Sequence, residues 1–189
     1  MRGVLLSSLL LIGLYGSAQT VLYRTRAEHL AGKGEERGNV LDVMPAMGRL
    51  VLVLETPGGR ERVPCKDLWG FTYQGVLFRI EPGSGLPVRL MSHHTLCYYE
   101  NGLAHLTMQR ERTEAATFEF GDAAYLSTDL DGTIVPARFR GKDIPVASRR
   151  FDAAHPELES LITCIGAGAE LEHIRQCVVD HEVSVEEKR

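Results

Sequence analysis

Two aspartates near the middle of the chain have the spacing of a catalytic pair. Asp129 and Asp131 form a D-x-D-G-T pattern within the stretch STDLDGTIVP, residues 127–136. Carboxylates at this spacing can act together on a phosphate ester, one attacking the phosphorus while the other stands beside it. A metal-assisted hydrolase of phosphatase type is therefore one interpretation of the pair.

The surrounding segments favour a turn instead. A phosphatase of this kind needs an apolar parallel strand before the first aspartate and roughly 100 or more residues after it in a doubly wound sheet. The preceding strand, AYLST, is only weakly apolar, and the chain ends at Arg189. Asp131-Gly132 is a strong two-residue hairpin signal, because glycine accepts positive φ. A calcium loop would require Glu where Arg140 stands, so we expect a hairpin turn.

Histidine and cysteine side chains in the middle of the chain could suggest zinc. His93 and His94 are adjacent, and Cys97 and His105 follow them. Adjacent residues on a strand point to opposite faces, so two neighbouring histidines do not easily bind one ion. A solvated turn is the favoured interpretation, and the sequence predicts neither a metal nor another cofactor.

Residues 1–18 have the three parts of a signal peptide. A positive charge at position 2 is followed by the apolar run Val4–Leu14, and the small residues Gly16 and Ala18 precede a cleavage site between Ala18 and Gln19. The apolar run is short for a transmembrane helix, which needs about 20 residues. We therefore expect an exported, soluble protein, periplasmic or extracellular, with no transmembrane span in the mature chain.

Composition narrows the classes of partner. The chain has 189 residues and a formal net charge of −4, with acidic and basic residues interspersed. Without a basic stripe, nucleic acid is not a predicted partner, whereas a protein or envelope component is. The mature chain is long enough to bury one core, so we expect a single domain over residues 19–182 and a charged tail over residues 183–189.

Short strands dominate the mature chain. Residues 50–54 and 60–63 flank a Pro/Gly turn and predict one hairpin, and a second hairpin is centred on Gln74-Gly75. Further strands are predicted at 88–92, 95–99, 103–109, 117–120 and 123–127, with Asn101-Gly102 as a tight turn. Short strands at close spacing favour antiparallel pairing over βαβ units.

Helical signals occur at the two ends of the mature chain. Thr25 and Glu28 fit a capping box and predict a short N-terminal helix. Apolar residues recur at helical spacing over 158–165 and 171–178, on either side of a break at residues 166–168. The predicted fold class is α+β. It has an antiparallel β-rich body (hairpins, a roll or a partly open barrel), a short N-terminal helix and a C-terminal helical hairpin.

Four cysteines follow the cleavage site: Cys65, Cys97, Cys164 and Cys177. In an exported protein an even number suggests disulfides. In an antiparallel helical hairpin, Cys177 would lie roughly 10 Å along the axis from Cys164, and a disulfide needs Cα atoms within about 7 Å. We therefore expect no bond between these two. Cys97 is expected to be a buried thiol, with Cys65 as its only plausible partner.

A further sequence motif is centred on Trp69. The pattern D-x-W-G-F-x-x-x-G-x-x-x-R occupies residues 67–79. Together with the helix expected near Thr25 and the run AYLSTDLDG, it resembles a group of exported, uncharacterised proteins of Bacteroidetes type. The resemblance covers most of the mature chain. It implies export and a fold, and it implies no activity.

The motif also has a direct physical interpretation through Trp69, Gly70, Gly75 and Arg79. Trp69 is the only tryptophan, and the glycine after it permits a tight approach. A core anchor for the hairpin is favoured over a ligand-stacking platform. The sequence thus predicts a non-enzymatic binding or envelope-associated module, with the hydrolase built on the two aspartates as the alternative.

Overall fold

The computed structural model describes residues 19–108, 123–138, 155–166 and 170–188. The predicted signal peptide and the predicted strand at 117–120 lie outside these residues. Within them, the chain forms two antiparallel sheets and four helices, which confirms the α+β class and the C-terminal helical pair.

Eleven strands are present in the described residues: β1 (Thr20–Tyr23), β2 (Glu35–Arg37), β3 (Asn39–Ala46), β4 (Arg49–Thr56), β5 (Gly59–Pro64), β6 (Gly70–Tyr73), β7 (Val76–Ile80), β8 (Pro87–His93), β9 (Cys97–Asn101), β10 (Ala124–Ser127) and β11 (Val135–Arg138). The helices are α1 (Arg26–Leu30), α2 (Gly102–Met108), α3 (Glu159–Ile165) and α4 (Leu171–Glu186), with 3₁₀ turns at Cys65–Asp67 and Pro156–Leu158.

The larger sheet is an antiparallel meander of β6–β11 that β1 and β2 extend at its β6 edge. Its order is β11-β10-β9-β8-β7-β6-β1-β2, and the smaller sheet has the order β3-β4-β5. The two predicted hairpins are confirmed as β4-β5 and β6-β7. At the β6-β7 turn both central residues have positive φ, 52° at Gln74 and 77° at Gly75, which is the backbone of a type I′ turn.

The short helix α1 is capped at its start. The Thr25 hydroxyl accepts a hydrogen bond from the Glu28 backbone N–H (3.2 Å), and the Glu28 carboxylate accepts from the Thr25 N–H (3.4 Å). These reciprocal bonds satisfy two backbone donors that the first helical turn leaves free. The capping residues thereby hold His29, on the last turn of α1, next to the larger sheet.

The prediction of a strand at 103–109 is wrong. Gly102 begins helix α2 directly after β9, and the predicted Asn101-Gly102 turn is the junction between them. The Asn101 side chain accepts a hydrogen bond from the Leu103 backbone N–H (2.9 Å), as an N-cap residue does. The same dipeptide that can form a hairpin turn therefore starts a helix here.

The prediction that Cys164 and Cys177 are not bonded to each other is also wrong, whereas the prediction of Cys97 as a buried free thiol is confirmed. Cys164 and Cys177 form a disulfide with a Cα–Cα separation of 5.8 Å, and Cys65 and Cys97 are free and buried. The prediction placed the end of α3 at the start of α4. The end of α3 instead lies beside the first two turns of α4, and His173 in the first turn donates a hydrogen bond to the Cys164 carbonyl oxygen (2.8 Å). The axial separation that would have prevented the bond is therefore absent.

Helix α4 is longer than its apolar pattern indicates. It continues to Glu186 and so includes much of the segment that the sequence assigned to a charged tail. Among the described residues, none of the helices combines the length and the hydropathy that a bilayer crossing requires.

The two faces of the larger sheet have different coverings. Residues paired across strands share a face, so Phe78, Arg89, Glu100 and Ala124 all lie on one side. This side packs against the C-terminal helices around β9–β11 and against the smaller sheet around β6–β7. The opposite side carries a third cluster, to which the loop between β10 and β11 contributes two buried residues, Leu130 and Ile134.

Candidate functional site

The D-x-D-G-T pattern forms a compact turn between β10 and β11. The Asp129 carboxylate accepts hydrogen bonds from two backbone N–H groups of its own loop, those of Asp131 (2.6 Å) and Gly132 (2.9 Å). The Gly132 N–H also reaches the Asp129 carbonyl oxygen (3.2 Å). Both aspartates are exposed, and β10 and β11 are antiparallel. Asp129 therefore shapes its own loop, as aspartate commonly does in turns.

This geometry differs from that of a phosphatase centre. The strand before Asp129 belongs to an antiparallel meander, whereas the catalytic pair needs the end of a parallel strand. Within the described part of the chain, neither Asp129 nor Asp131 belongs to a group of three metal-ligating side chains. The turn interpretation of the pattern is therefore the better supported one.

Asp131 instead contacts the tryptophan of the motif. One carboxylate oxygen of Asp131 accepts a hydrogen bond from the Trp69 indole N–H (3.2 Å), across 62 positions of sequence. Trp69 is half-buried against the third core cluster, and its backbone bonds both Tyr23 and Ile80. The two motifs that the sequence presented separately thus meet at one place, which no local pattern could have indicated.

Arg79 lies against the same tryptophan. Its guanidinium carbon is 4.4 Å from the centre of the Trp69 ring, within the range of a cation–π contact. Gly70 is the cross-strand partner of Arg79, and a Cβ on Gly70 would come within 2.5 Å of the Phe78 carbonyl oxygen. The motif therefore has a structural basis: Gly75 forms the turn, Gly70 permits close strands, and Trp69 covers Arg79.

The Arg79 guanidinium is buried without full hydrogen bonding. The side chain is only 4% exposed, and neither Nε nor Nη1 has a hydrogen-bond partner among the described residues. Nearly all buried polar groups in folded proteins have such a partner, so a buried cation with two unpaired nitrogens needs an explanation. This is the one feature of the motif that packing alone does not account for.

Tyr99, a tyrosine beside Arg79, is also buried without full hydrogen bonding. Tyr99 is fully buried, and its hydroxyl also lacks a well-formed hydrogen bond among the described residues. Burial raises the pKa of Tyr99 to about 12, although the nearby Ser127 hydroxyl and the Arg79 charge act in the other direction. Burial likewise raises the pKa of the Cys97 thiol. Tyr99 and Cys97 are therefore both protonated at neutral pH and provide no counter-charge for Arg79.

His29 also contacts Trp69. Its ring stacks on Trp69, with centroids 5.4 Å apart, and meets Tyr23 edge-on at 4.9 Å. Partial burial lowers the pKa of His29, and the nearby His93 lowers it further. His93 is therefore near His29. Among the described residues, no metal-ligating group includes His93, His94 or Cys97.

His105, the fourth of the histidine and cysteine residues considered as zinc ligands, lies on the face of the larger sheet opposite to Cys97. His105 contacts the buried Glu100 carboxylate through Nε2 (3.4 Å) and the Arg89 guanidinium through Nδ1 (2.7 Å). Arg175 of α4 forms a two-pronged ion pair with Glu100, at 2.6 and 2.8 Å. Because a guanidinium only donates, His105 Nδ1 must be the acceptor, and its Nε2 proton faces Glu100.

A concave surface is present at the edge where the two sheets meet. This cleft has a volume of about 580 Å³, and among the residues that line it are Gln19, Arg37 and three glutamates, Glu36, Glu55 and Glu61. Arg37 is already paired with Glu61 (3.1 Å) and with Glu35. The charged residues that line the cleft are therefore net negative, and they do not suit an anionic ligand.

Comparisons with family models, with curated proteins and with solved structures gave no match to this chain. Inference about function therefore depends on the side chains themselves. Of the residues that the sequence singled out, the structure brings together Trp69, Gly70, Arg79 and Asp131. It adds His29 and Tyr99, which no motif had marked.

Proposed function

We propose that the protein is an exported, non-enzymatic binding module that takes a small anionic group at Arg79. The observation that carries this proposal is the buried guanidinium whose Nε and Nη1 have no partner among the described residues. A phosphate, a sulfate or a carboxylate would supply the missing acceptors through charge-assisted hydrogen bonds.

Energetics support an anionic partner. Removing a cation from water costs several kcal/mol unless its N–H groups are paired. The cation–π contact with Trp69 offsets only about 0.5–2 kcal/mol of this desolvation cost. Asp129 and Asp131 contribute negative charge nearby, but their described hydrogen bonds go elsewhere, to the Asp129 loop and to the Trp69 indole. The Tyr99 hydroxyl, on the same side of the sheet and near Ser127 and Cys97, provides a further donor for the same anion.

Access to Arg79 passes the Trp69 ring. Both unpaired nitrogens are shielded from solvent, so a ligand reaches them only when the ring or the 128–134 loop moves. The bond that joins these two parts, from the indole to Asp131, is exposed and therefore weak.

The single tryptophan makes binding measurable. Titration of inorganic phosphate, sulfate and acetate at constant ionic strength, with chloride as the reference, should change Trp69 fluorescence in a saturable way. The same anions should raise the unfolding midpoint, as expected for a ligand that binds only the folded state. We expect Arg79→Met to lose both responses and Tyr99→Phe to weaken them. Arg60→Met on exposed β5 is the matched control and should keep them.

Two outcomes would contradict this function. One is a wild-type protein that responds to phosphate, sulfate and acetate no more than to chloride. The other is an Arg79→Met variant that folds and keeps the wild-type response. Tyr99→Phe retains the charge and most of the packing, so it tests the site even if Arg79→Met fails to fold.

Export is the second part of the proposal, and the disulfide supports it. Disulfides persist mainly in oxidising compartments, and the predicted signal peptide and the family resemblance imply the same location. The protein recovered outside the cytoplasm should begin at Gln19 by mass spectrometry. Ala18→Phe should block this cleavage, whereas Ser17→Phe, at the position between the two small residues, should not. A recovered chain that begins at Met1 would contradict the proposal.

A further inference from the structure

Two bonded cysteines and a histidine form a cluster between the C-terminal helices. The potential ligand atoms of Cys164, His173 and Cys177 all lie within 4.8 Å of one another. Within the described parts of the chain, this is the one group of three or more such side chains. The cluster lies on the helix-covered face of the large sheet, apart from the Arg79 site.

The helices place these side chains by simple spacing. His173 and Cys177 are four residues apart on α4, so they share one face of that helix. Cys164 is in the last turn of α3, whose end lies beside them. His173 Nε2 is 3.5 Å from the Cys177 sulfur and donates to the Cys164 carbonyl oxygen at 2.8 Å. The ring is thus held beside the two sulfurs.

We propose that Cys164, His173 and Cys177 form a thiol-dependent site for a thiophilic divalent cation such as Zn²⁺, which the disulfide closes. A dithiol reductant gives two electrons and two protons to the Cys164–Cys177 bond and becomes a disulfide itself. The two thiols formed lose their protons when the cation binds, because the thiolate is the ligand. The site then has two sulfur ligands and one nitrogen ligand, and a water molecule fills the fourth position.

The spacing suits a tetrahedral cation. With bonds of about 2.3 Å to sulfur and 2.0–2.1 Å to nitrogen, a tetrahedral ion places a nitrogen and a sulfur ligand about 3.6 Å apart. The separation between His173 Nε2 and the Cys177 sulfur is 3.5 Å. The two sulfurs must move apart to about 3.7 Å once their bond is broken. His173 would exchange its bond to the Cys164 carbonyl oxygen for the cation and carry its remaining proton on Nδ1.

Exposure makes this disulfide reachable and distinguishes it from the other thiols. Cys164 is exposed, so a reductant can attack its sulfur and release the buried Cys177. Cys65 and Cys97 are both fully buried, and burial raises the pKa of Cys65 to about 12. These two thiols therefore do not compete for the metal.

Cobalt(II) provides a direct readout on the full mature chain. After reduction with a non-chelating phosphine under argon, one Co²⁺ per chain should produce thiolate-to-cobalt charge-transfer absorption, and Zn²⁺ should displace it. The oxidised protein should give no such absorption. Bound Zn²⁺ should also slow reoxidation of the two thiols.

Single-residue variants separate this site from adventitious binding. His173→Ala, at an exposed position, should weaken Co²⁺ binding by at least about tenfold, whereas His94→Ala, also exposed, should leave it unchanged. Cys164→Ser should abolish the charge-transfer band and Cys65→Ser should not. The proposal is overturned if the reduced protein shows no band, if His173→Ala binds as tightly as the wild type, or if the oxidised protein binds equally well.

Discussion

Replacing Glu100 with alanine is expected to lower the free energy of unfolding by about 3 kcal/mol. The Glu100 side chain is 3% exposed and holds strand β9 to helix α4 through its paired bonds with Arg175. It also accepts a hydrogen bond from the Tyr98 hydroxyl (2.9 Å). Removal of the carboxylate leaves the buried hydroxyl and part of the guanidinium without partners.

The expected loss is at the lower end of the range for broken buried pairs because one partner can reach water. The Arg175 side chain is 42% exposed, so it can recover part of its hydration. Glu172 offers a matched control, since it pairs with the same arginine at 3.0 Å but is 85% exposed. Glu172→Ala should cost at most about 0.5 kcal/mol in urea unfolding. Equal losses for the two variants would contradict the argument.

The acid dependence of stability provides an independent check. Burial acts to raise the pKa of Glu100, but hydrogen bonds from Arg175, His105 and Tyr98 outweigh it and lower the pKa from 4.5 to about 2. A lowered pKa means that the folded state favours the ionised form. The contribution is therefore complete above about pH 4.5 and is lost as the pH falls towards 2. Glu100→Gln should lose less stability than the wild type over this interval.

Local turn chemistry made some of this fold predictable from the sequence. Gln74-Gly75 between alternating apolar residues describes a hairpin without knowledge of the rest of the chain, and the hairpin is present. Asn101-Gly102 carries an equally strong turn signal, yet it starts a helix. Its glycine instead meets a distant requirement, since a Cβ on Gly102 would come within 2.5 Å of the Pro87 carbonyl oxygen. Such a contact depends on the neighbouring strand and is invisible to local patterns.

The candidate site was predictable only in part, for the same reason. Trp69, Gly70, Gly75 and Arg79 were visible as a motif, because the hairpin that joins them is local. The contact between Trp69 and Asp131 spans 62 residues and could not be inferred from spacing. Glu100 did leave a signal, since a charged residue inside the buried strand CYYEN requires a partner. The identity of that partner, Arg175, again depends on tertiary packing.

Substitution of Gly70 by alanine should be the most damaging change within the motif, with a loss of about 3 kcal/mol or more. The new Cβ would lie 2.5 Å from the Phe78 carbonyl oxygen and 3.4 Å from the Arg79 Cα. Both atoms belong to the backbone of a strand that is hydrogen-bonded on both sides, between β6 and β8. Strand β7 therefore cannot move aside without breaking its pairing and displacing Arg79 from Trp69.

Gly75 separates this clash from the general cost of replacing glycine. It has a φ of 77° in the hairpin turn, and a Cβ there meets nothing within 4 Å. Gly75→Ala should therefore cost only the left-handed backbone penalty of about 1–2 kcal/mol. Urea unfolding followed by far-UV circular dichroism compares the two variants without relying on Trp69 fluorescence, which Gly70→Ala perturbs directly. If Gly70→Ala proved less destabilising than Gly75→Ala, close packing of β6 on β7 would not be the reason for glycine in this motif.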